Sequence, residues 1–340
     1  MSPPNSAFFK NTTVDNIVKP DFFFITGFAG IPHTKYYYVF LCFVYALTLL
    51  GNTFIMFVIY TDQCLHSPKY IAVFNLAVAD LCESTAFIPQ LIDTFLFKSH
   101  LISFEACLTN MFFVFWFLHM QSFTLTLLSY DRCVAICFPL RYNEIVTKKS
   151  MLVITVILWI IGALGILLAL IFFTRLSFCK SNVIHSYFCD PGPLPHLACN
   201  DNSISILINW INPVIILWIP VLFIIGTYTC IARALLKIAT ASDRFKAMKT
   251  CSSHLILVSV FYLPLCFSFA LFSITHPNAR IINMSLATAL PPMLNPIIYS
   301  LMTEEFRESI KKLYRRNKIH ITRQREIFSK CVENPQDIMP

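Results

Sequence analysis

Two pairs of charges lie where the chain is otherwise oily. Asp80 and Glu83 interrupt one long apolar run, three residues apart and therefore neighbours on one face of a helix. Asp131 and Arg132 close another run, an acid and a base side by side. A charge in hydrocarbon costs at least a few kcal/mol, so such residues are functional candidates by default. Asn52 and Asn295, each in a separate apolar run, are polar partners for Asp80 at similar depth, and Gln121 lies near the middle of a further one. The cluster Asn52, Asp80, Glu83 and Gln121 has two readings, an ion or proton site and a purely structural hydrogen-bond joint, and both place Asp80 inside a helix bundle.

These residues need long apolar elements to hold them. Of 340 residues, 56% are hydrophobic and 13% charged, far from the balance of a soluble domain. With 33 Phe against 7 Gly, bulky side chains make the excess. About 20 apolar residues at 1.5 Å rise cross a bilayer. Seven segments qualify: Tyr36–Tyr60, Tyr70–Phe97, Cys107–Ile136, Met151–Phe172, Ser203–Leu236, Thr250–Ser273 and Ile281–Met302. None alternates as a membrane β-barrel strand must, which predicts an all-α seven-helix membrane bundle.

Lys and Arg set the orientation. Lys69, Arg132, Arg141, Lys148, Lys149, the group from Arg233 to Lys249 and nine residues from Arg307 to Lys330 all fall on one side, which is read as cytoplasmic. The amino terminus is then extracellular and the protein sits in the plasma membrane. The net charge of +8 sits between apolar runs and not in a basic stripe beside aromatics, so no nucleic-acid partner is expected. No cleavable signal peptide is seen in the first 35 residues. Asn11-Thr12-Thr13 is a glycosylation acceptor in that segment. The organisation predicted is an extracellular segment 1–35, a membrane domain 36–302, a surface helix 303–316 and a disordered tail 317–340. In the surface helix Phe306, Ile310, Leu313 and Tyr314 share a face against membrane lipid.

Ser129-Tyr130-Asp131-Arg132-Cys133 resembles the signature of rhodopsin-like receptors, and Val134-Ala135-Ile136-Cys137-Phe138-Pro139-Leu140-Arg141-Tyr142 is similar to its longer form in odorant receptors. Gly51-Asn52, Pro68-Lys69-Tyr70 leading to Asn75-Leu76-Ala77-Val78-Ala79-Asp80, and Trp159 agree in order and spacing. Lys246 to His254 resembles a segment particular to odorant receptors, and Pro291 to Leu301 carries Asn295-Pro296-Ile297-Ile298-Tyr299. The resemblance spans roughly Phe22 to Arg316. It departs at Cys133, where a tyrosine is common, and at Gln121, where odorant receptors often carry an acid, which removes one ligand from a sodium site at Asp80. Tyr262, where most other rhodopsin-like receptors have tryptophan, is an odorant-receptor feature.

The resemblance implies a receptor for a small-molecule odorant that activates a heterotrimeric, cAMP-stimulating G protein. It implies disulfides Cys107–Cys189 and Cys179–Cys199; the sequence alone allows three pairings of these four outer cysteines. The other nine are read as reduced thiols with packing roles. Coupling falls to Asp131, Arg132, Tyr228, Asn295, Pro296 and Tyr299. The inner end of the sixth span offers Arg244, Lys246 and Lys249, so Asp131 is read as the only anion close to Arg132. Pro220, Pro264 and Pro296 interrupt helical ladders.

The ligand site is read from Val114, Phe115, Leu118, His119 and Ser122 in the third span, Asn209, Asn212 and Ile216 in the fifth, Tyr262, Cys266 and Phe269 in the sixth, and Ser285 and Thr288 in the seventh. No acid faces a protonated amine there, and the lining suits a small neutral molecule. Other classes fit less well. Seven spans cannot be halved into the inverted repeats of a transporter. No His-Glu-x-x-His or Gly-x-Ser-x-Gly indicates an enzyme, and His119 and His254 are isolated. The seventh span has no lysine for a Schiff base, and no cofactor is expected. A receptor of the same class for a peptide or lipid is the alternative.

Overall fold

A computed structural model describes residues 9–10, 18–28, 34–96, 100–237, 240–270 and 277–315. Lipid offers the backbone no hydrogen-bond partner, so each span closes its own ladder as a helix. Among the described residues, seven helices are long and apolar enough to cross a membrane. They are α1 (Thr34–Thr61), α2 (Pro68–Leu96), α3 (Phe104–Cys137), α4 (Lys148–Phe173), α5 (Ser203–Leu236), α6 (Ala241–Ala270) and α7 (Pro277–Met302). A shorter helix, α8 (304–315), follows. Ser103 caps α3 by accepting from the Ala106 amide, and Thr147 with Ser150 forms a capping box for α4.

The bundle is apolar on its surface as well as in its core. Phe43, Leu50, Leu164, Leu168 and Ile225 face outward, as a lipid solvent requires, while Asn52, Asp80, Glu83, Gln121 and Asp131 are buried. Proline positions dictate several interhelical bonds. Pro296 lacks the amide that would bond the Pro292 carbonyl, and Asn52 of α1 donates its Nδ2 to that carbonyl at 2.8 Å. A Cβ on Gly51 would lie 2.9 Å from the Pro296 ring, so glycine is what permits α1 to approach. The Ile216 carbonyl lies four residues before Pro220 in a π-helical turn, Val214–Trp218, and accepts from Ser122 Oγ of α3 at 2.6 Å.

On the outer side, β1 (Phe22–Ile25) pairs antiparallel with Leu101–Ser103 and parallel with Val183–Ile184. Phe23, Phe104 and Phe178 stack edge to face beneath this sheet.

Two expectations are amended. The sixth helix begins at Ala241, nine residues before Thr250, so Asp243 is also on its inner end, and the side chains of Asp243 and Lys246 lie outside the described residues. Asn52 and Asp80 do not bond each other. On α8 Phe306 is fully buried against the bundle, while Tyr314, at the edge of the stripe set by Phe306, Ile310 and Leu313 at 100° per residue, is 70% exposed, as a lipid-facing ring would be. The tail 317–340, the first eight residues and Asn11 lie outside the described residues.

Candidate functional site

Three polar layers are stacked along the bundle. In the outer half, Val114, Leu118, His119, Ser122, Ile216, Tyr262, Ser285 and Thr288 are buried, and Phe115 and Cys266 are half-buried. Ser122 forms the floor. Its hydroxyl lies 2.8 Å from the Tyr262 hydroxyl, and Tyr262 also reaches the Ser122 carbonyl at 3.1 Å, so α3, α5 and α6 meet at one serine. His119 Nδ1 donates to the Phe115 carbonyl at 2.6 Å, and the Asn212 side chain lies near the same ring. Asn209 turns away from this group and donates to the Pro191 carbonyl at 2.7 Å, holding the second outer loop. The Phe269 side chain lies outside the described residues.

Above the floor, sequence reasoning missed an aromatic cover. Tyr187 and Phe188 pack with Phe87, and Phe28 stacks on Tyr187. Tyr37 and Ser285 bring their hydroxyls to 2.5 Å. The run Tyr187-Phe188-Cys189 was the available signal, because a bond from Cys189 to α3 would fold those rings over the bundle. The structure joins Cys107 to Cys189 with Cα atoms 5.4 Å apart, and Cys179 to Cys199 at 5.9 Å. Non-reducing peptide mapping is expected to recover Cys107 linked to Cys189; free thiols at both positions would contradict the pairing.

At mid-membrane the polar cluster divides into two pairs. Asn295 donates to Asp80 Oδ2 at 2.8 Å, and Gln121 donates to Glu83 Oε2 at 2.7 Å. Asp80 Oδ1, Glu83 Oε1, Asn52 Oδ1 and Ser84 Oγ are buried with no protein partner.

The inner layer opens as a crevice of about 720 Å³ whose walls include Lys69, Tyr70, Arg132, Lys249, His254 and Tyr299. Asp131 binds Arg132 at 2.5 Å and accepts from the Tyr142 hydroxyl at 2.7 Å, which holds the guanidinium at the crevice edge. Lys249 pairs with Glu304 at 3.7 Å, and Lys69 and Tyr70 both donate to Glu305. Beside it, Lys312 reaches Asp62 at 3.2 Å. Desolvation alone would raise the Asp62 pKa, but hydrogen bonds from the Cys64 amide, Ser309 and Lys312 outweigh it and hold the carboxyl at about 2.

Across the top of the crevice runs a clasp. His254 Nε2 of α6 donates to the Leu125 carbonyl of α3 at 3.1 Å, so its Nδ1 is the acceptor for the Tyr228 hydroxyl of α5 at 2.7 Å. The buried Tyr299 hydroxyl has no partner.

A sequence model of the olfactory receptor family matches residues 41–317. Olfactory receptor 1468 of Rattus norvegicus is 33% identical over 295 residues, covering 85% of this chain and 94% of that relative. Olfactory receptor 1F1 of Homo sapiens is 34% identical over 293 residues, covering 86% and 94%. Among solved structures, squid rhodopsin superposes with a TM-score of 0.66 at 20% identity over 84% of this chain and 86% of that one.

Proposed function

Because the chain belongs to the olfactory receptor family, a family of multi-pass membrane receptors and not enzymes, we propose that it binds a small neutral molecule in the outer half of its bundle and drives a cAMP-stimulating G protein. The observation that carries this is that α3 and α6 are hydrogen-bonded to each other at two depths. Ser122 and Tyr262 lie on α3 and α6 in the pocket floor, and one to two turns inward His254 ties the same helices together above Arg132. A ligand that pushes on Tyr262 acts on the helix that must move at the inner face, and it shifts the equilibrium only by its differential affinity for the two states.

The pocket chemistry supports a neutral ligand. Val114, Phe115, Leu118, Ile216 and Cys266 are apolar, and His119, Ser122, Asn212, Tyr262 and Thr288 supply scattered donors and acceptors. Asn209 serves the loop and Tyr187 covers the site. A panel of small volatile molecules, read as cAMP in transfected cells, is the test. A chain that answers peptides and no small molecule would move the reading to a peptide receptor.

On the inner side Arg132, Tyr228 and Tyr299 rearrange around the opened crevice, where the terminal helix of a G protein α subunit enters. Leu140, in the loop that follows α3, has 96% of its surface exposed, an apolar knob on the same side of the membrane as Arg132. Leu140→Asp is expected to lower agonist-stimulated cAMP several-fold at unchanged surface density; an unaltered response would remove Leu140 from the interface. The unpaired oxygens of Asp80, Glu83, Asn52 and Ser84 have the hard-ligand chemistry of a sodium site, and the ion would supply the positive charge that two buried carboxylates lack.

We place the amino terminus outside, in the plasma membrane. Asn11→Gln is therefore expected to drop the apparent mass by one glycan on a gel, and unchanged mobility in mammalian cells would count against that orientation.

A further inference from the structure

The inner end of α3 carries two thiols that the coupling reading leaves unused. Cys133 and Cys137, one helical turn apart, bring their sulfurs to 3.9 Å. Both are half-buried, and neither is in a disulfide. Cys230 of α5 is near enough to act electrostatically on Cys133, and Cys137 is likewise near Cys251 of α6.

We propose that Cys133 and Cys137 form a two-thiolate site for a thiophilic divalent cation of the zinc and cadmium class. The four-residue spacing puts both side chains on one face of α3. Two metal–sulfur bonds of about 2.3 Å join sulfurs at this separation with an angle of roughly 115° at the metal, close to tetrahedral. A disulfide would need the sulfurs at about 2.05 Å, roughly half their present distance, and would have to deform the last turn of α3. An ion bridges them with the helix as it stands. Soft sulfur donors favour such ions over sodium or magnesium.

Among the described residues no three His, Cys, Asp or Glu side chains converge as a metal group. Water from the cytoplasmic side therefore completes the coordination sphere, with Cys230 the neighbouring thiol. On binding, each S–H bond breaks, two protons pass to solvent, and one lone pair from each thiolate goes to the ion without any change of oxidation state.

The test uses the purified full-length receptor and stoichiometric Cd²⁺, followed by a pulse of N-ethylmaleimide and peptide mass spectrometry. Cys133 and Cys137 are expected to lose alkylation together, while exposed Cys64 remains labelled and a chelator restores both. In Cys133→Tyr the protection of Cys137 disappears, and in Cys137→Ser that of Cys133 disappears. Cys230→Ser leaves both protected. If each thiol keeps its protection after its partner is removed, or if Cd²⁺ protects neither, the contact is an ordinary pairing of reduced thiols and the proposal is overturned. Cys133→Ser carries the same comparison should the tyrosine variant fold poorly.

Discussion

In cells expressing Arg132→Ala, agonist-stimulated cAMP is expected to vanish while antagonist binding in the outer pocket stays at its original affinity. Arg132 lies 17 residues beyond Phe115, or roughly 25 Å along α3 at the helical rise, so it cannot touch an outer ligand. Its guanidinium has a permanent charge and five donors, of which the structure commits one face to Asp131. After α6 swings out, the remaining donors can serve backbone carbonyls of an inserted helix and the Tyr228 hydroxyl. Alanine removes all of them and leaves Asp131 still bonded to Tyr142, which limits the structural damage. Agonist affinity falls modestly, because coupling between sites is reciprocal and the G-protein-bound state is lost. Surface density is measured in the same cells. A variant that reaches the surface and raises cAMP normally would refute the role.

The seven spans were legible because hydropathy over 20 residues records what lipid tolerates, and every span begins or ends within a few residues of its expected limit, apart from the inner start of α6. That start was hidden because Ala241 to Lys249 is polar. Above the membrane boundary a helix no longer needs an apolar sequence, so hydropathy stops reporting on it. Depth along a helix was also readable, which is why Asp80 and Asn295 were paired before their 2.8 Å contact was seen. Rotation about the axis was harder to read. Asn52 was placed with Asp80 by depth, yet Pro296 leaves a carbonyl on α7 that claims its amide. Asn209 similarly sits at pocket height but answers the Pro191 carbonyl. The aromatic cover of Tyr187, Phe188 and Phe28 depends on loop pairing across more than 150 residues, which no local pattern encodes.

Replacing His254 by leucine is expected to raise ligand-independent cAMP on the order of tenfold. In the structure His254 is the one side chain of α6 that bonds both α3, at the Leu125 carbonyl, and α5, at Tyr228, among the hydrogen bonds described. Side-chain hydrogen bonds between membrane helices contribute roughly 0.6 to 1 kcal/mol each, so losing two shifts the closed-to-open equilibrium by about tenfold. Leucine keeps the volume and packs in the same apolar surround as Leu257 and Leu128, so the fold survives. The Lys249–Glu304 pair is half exposed and does not replace the clasp. Tyr228→Phe is the discriminating companion. It leaves the His254–Leu125 bond in place but removes the bonds of the Tyr228 hydroxyl to His254 and, at 3.3 Å, to the Cys251 carbonyl, so basal signalling should rise here too; on the proposed role of Tyr228 as a partner of Arg132 once α6 has moved, its maximal agonist response should fall. His254→Leu should keep that maximum, because its bonds exist only when α6 is in. Basal cAMP is read against surface density in untreated cells. Equal basal output for wild type and His254→Leu at equal density would show that the clasp does not hold α6 closed.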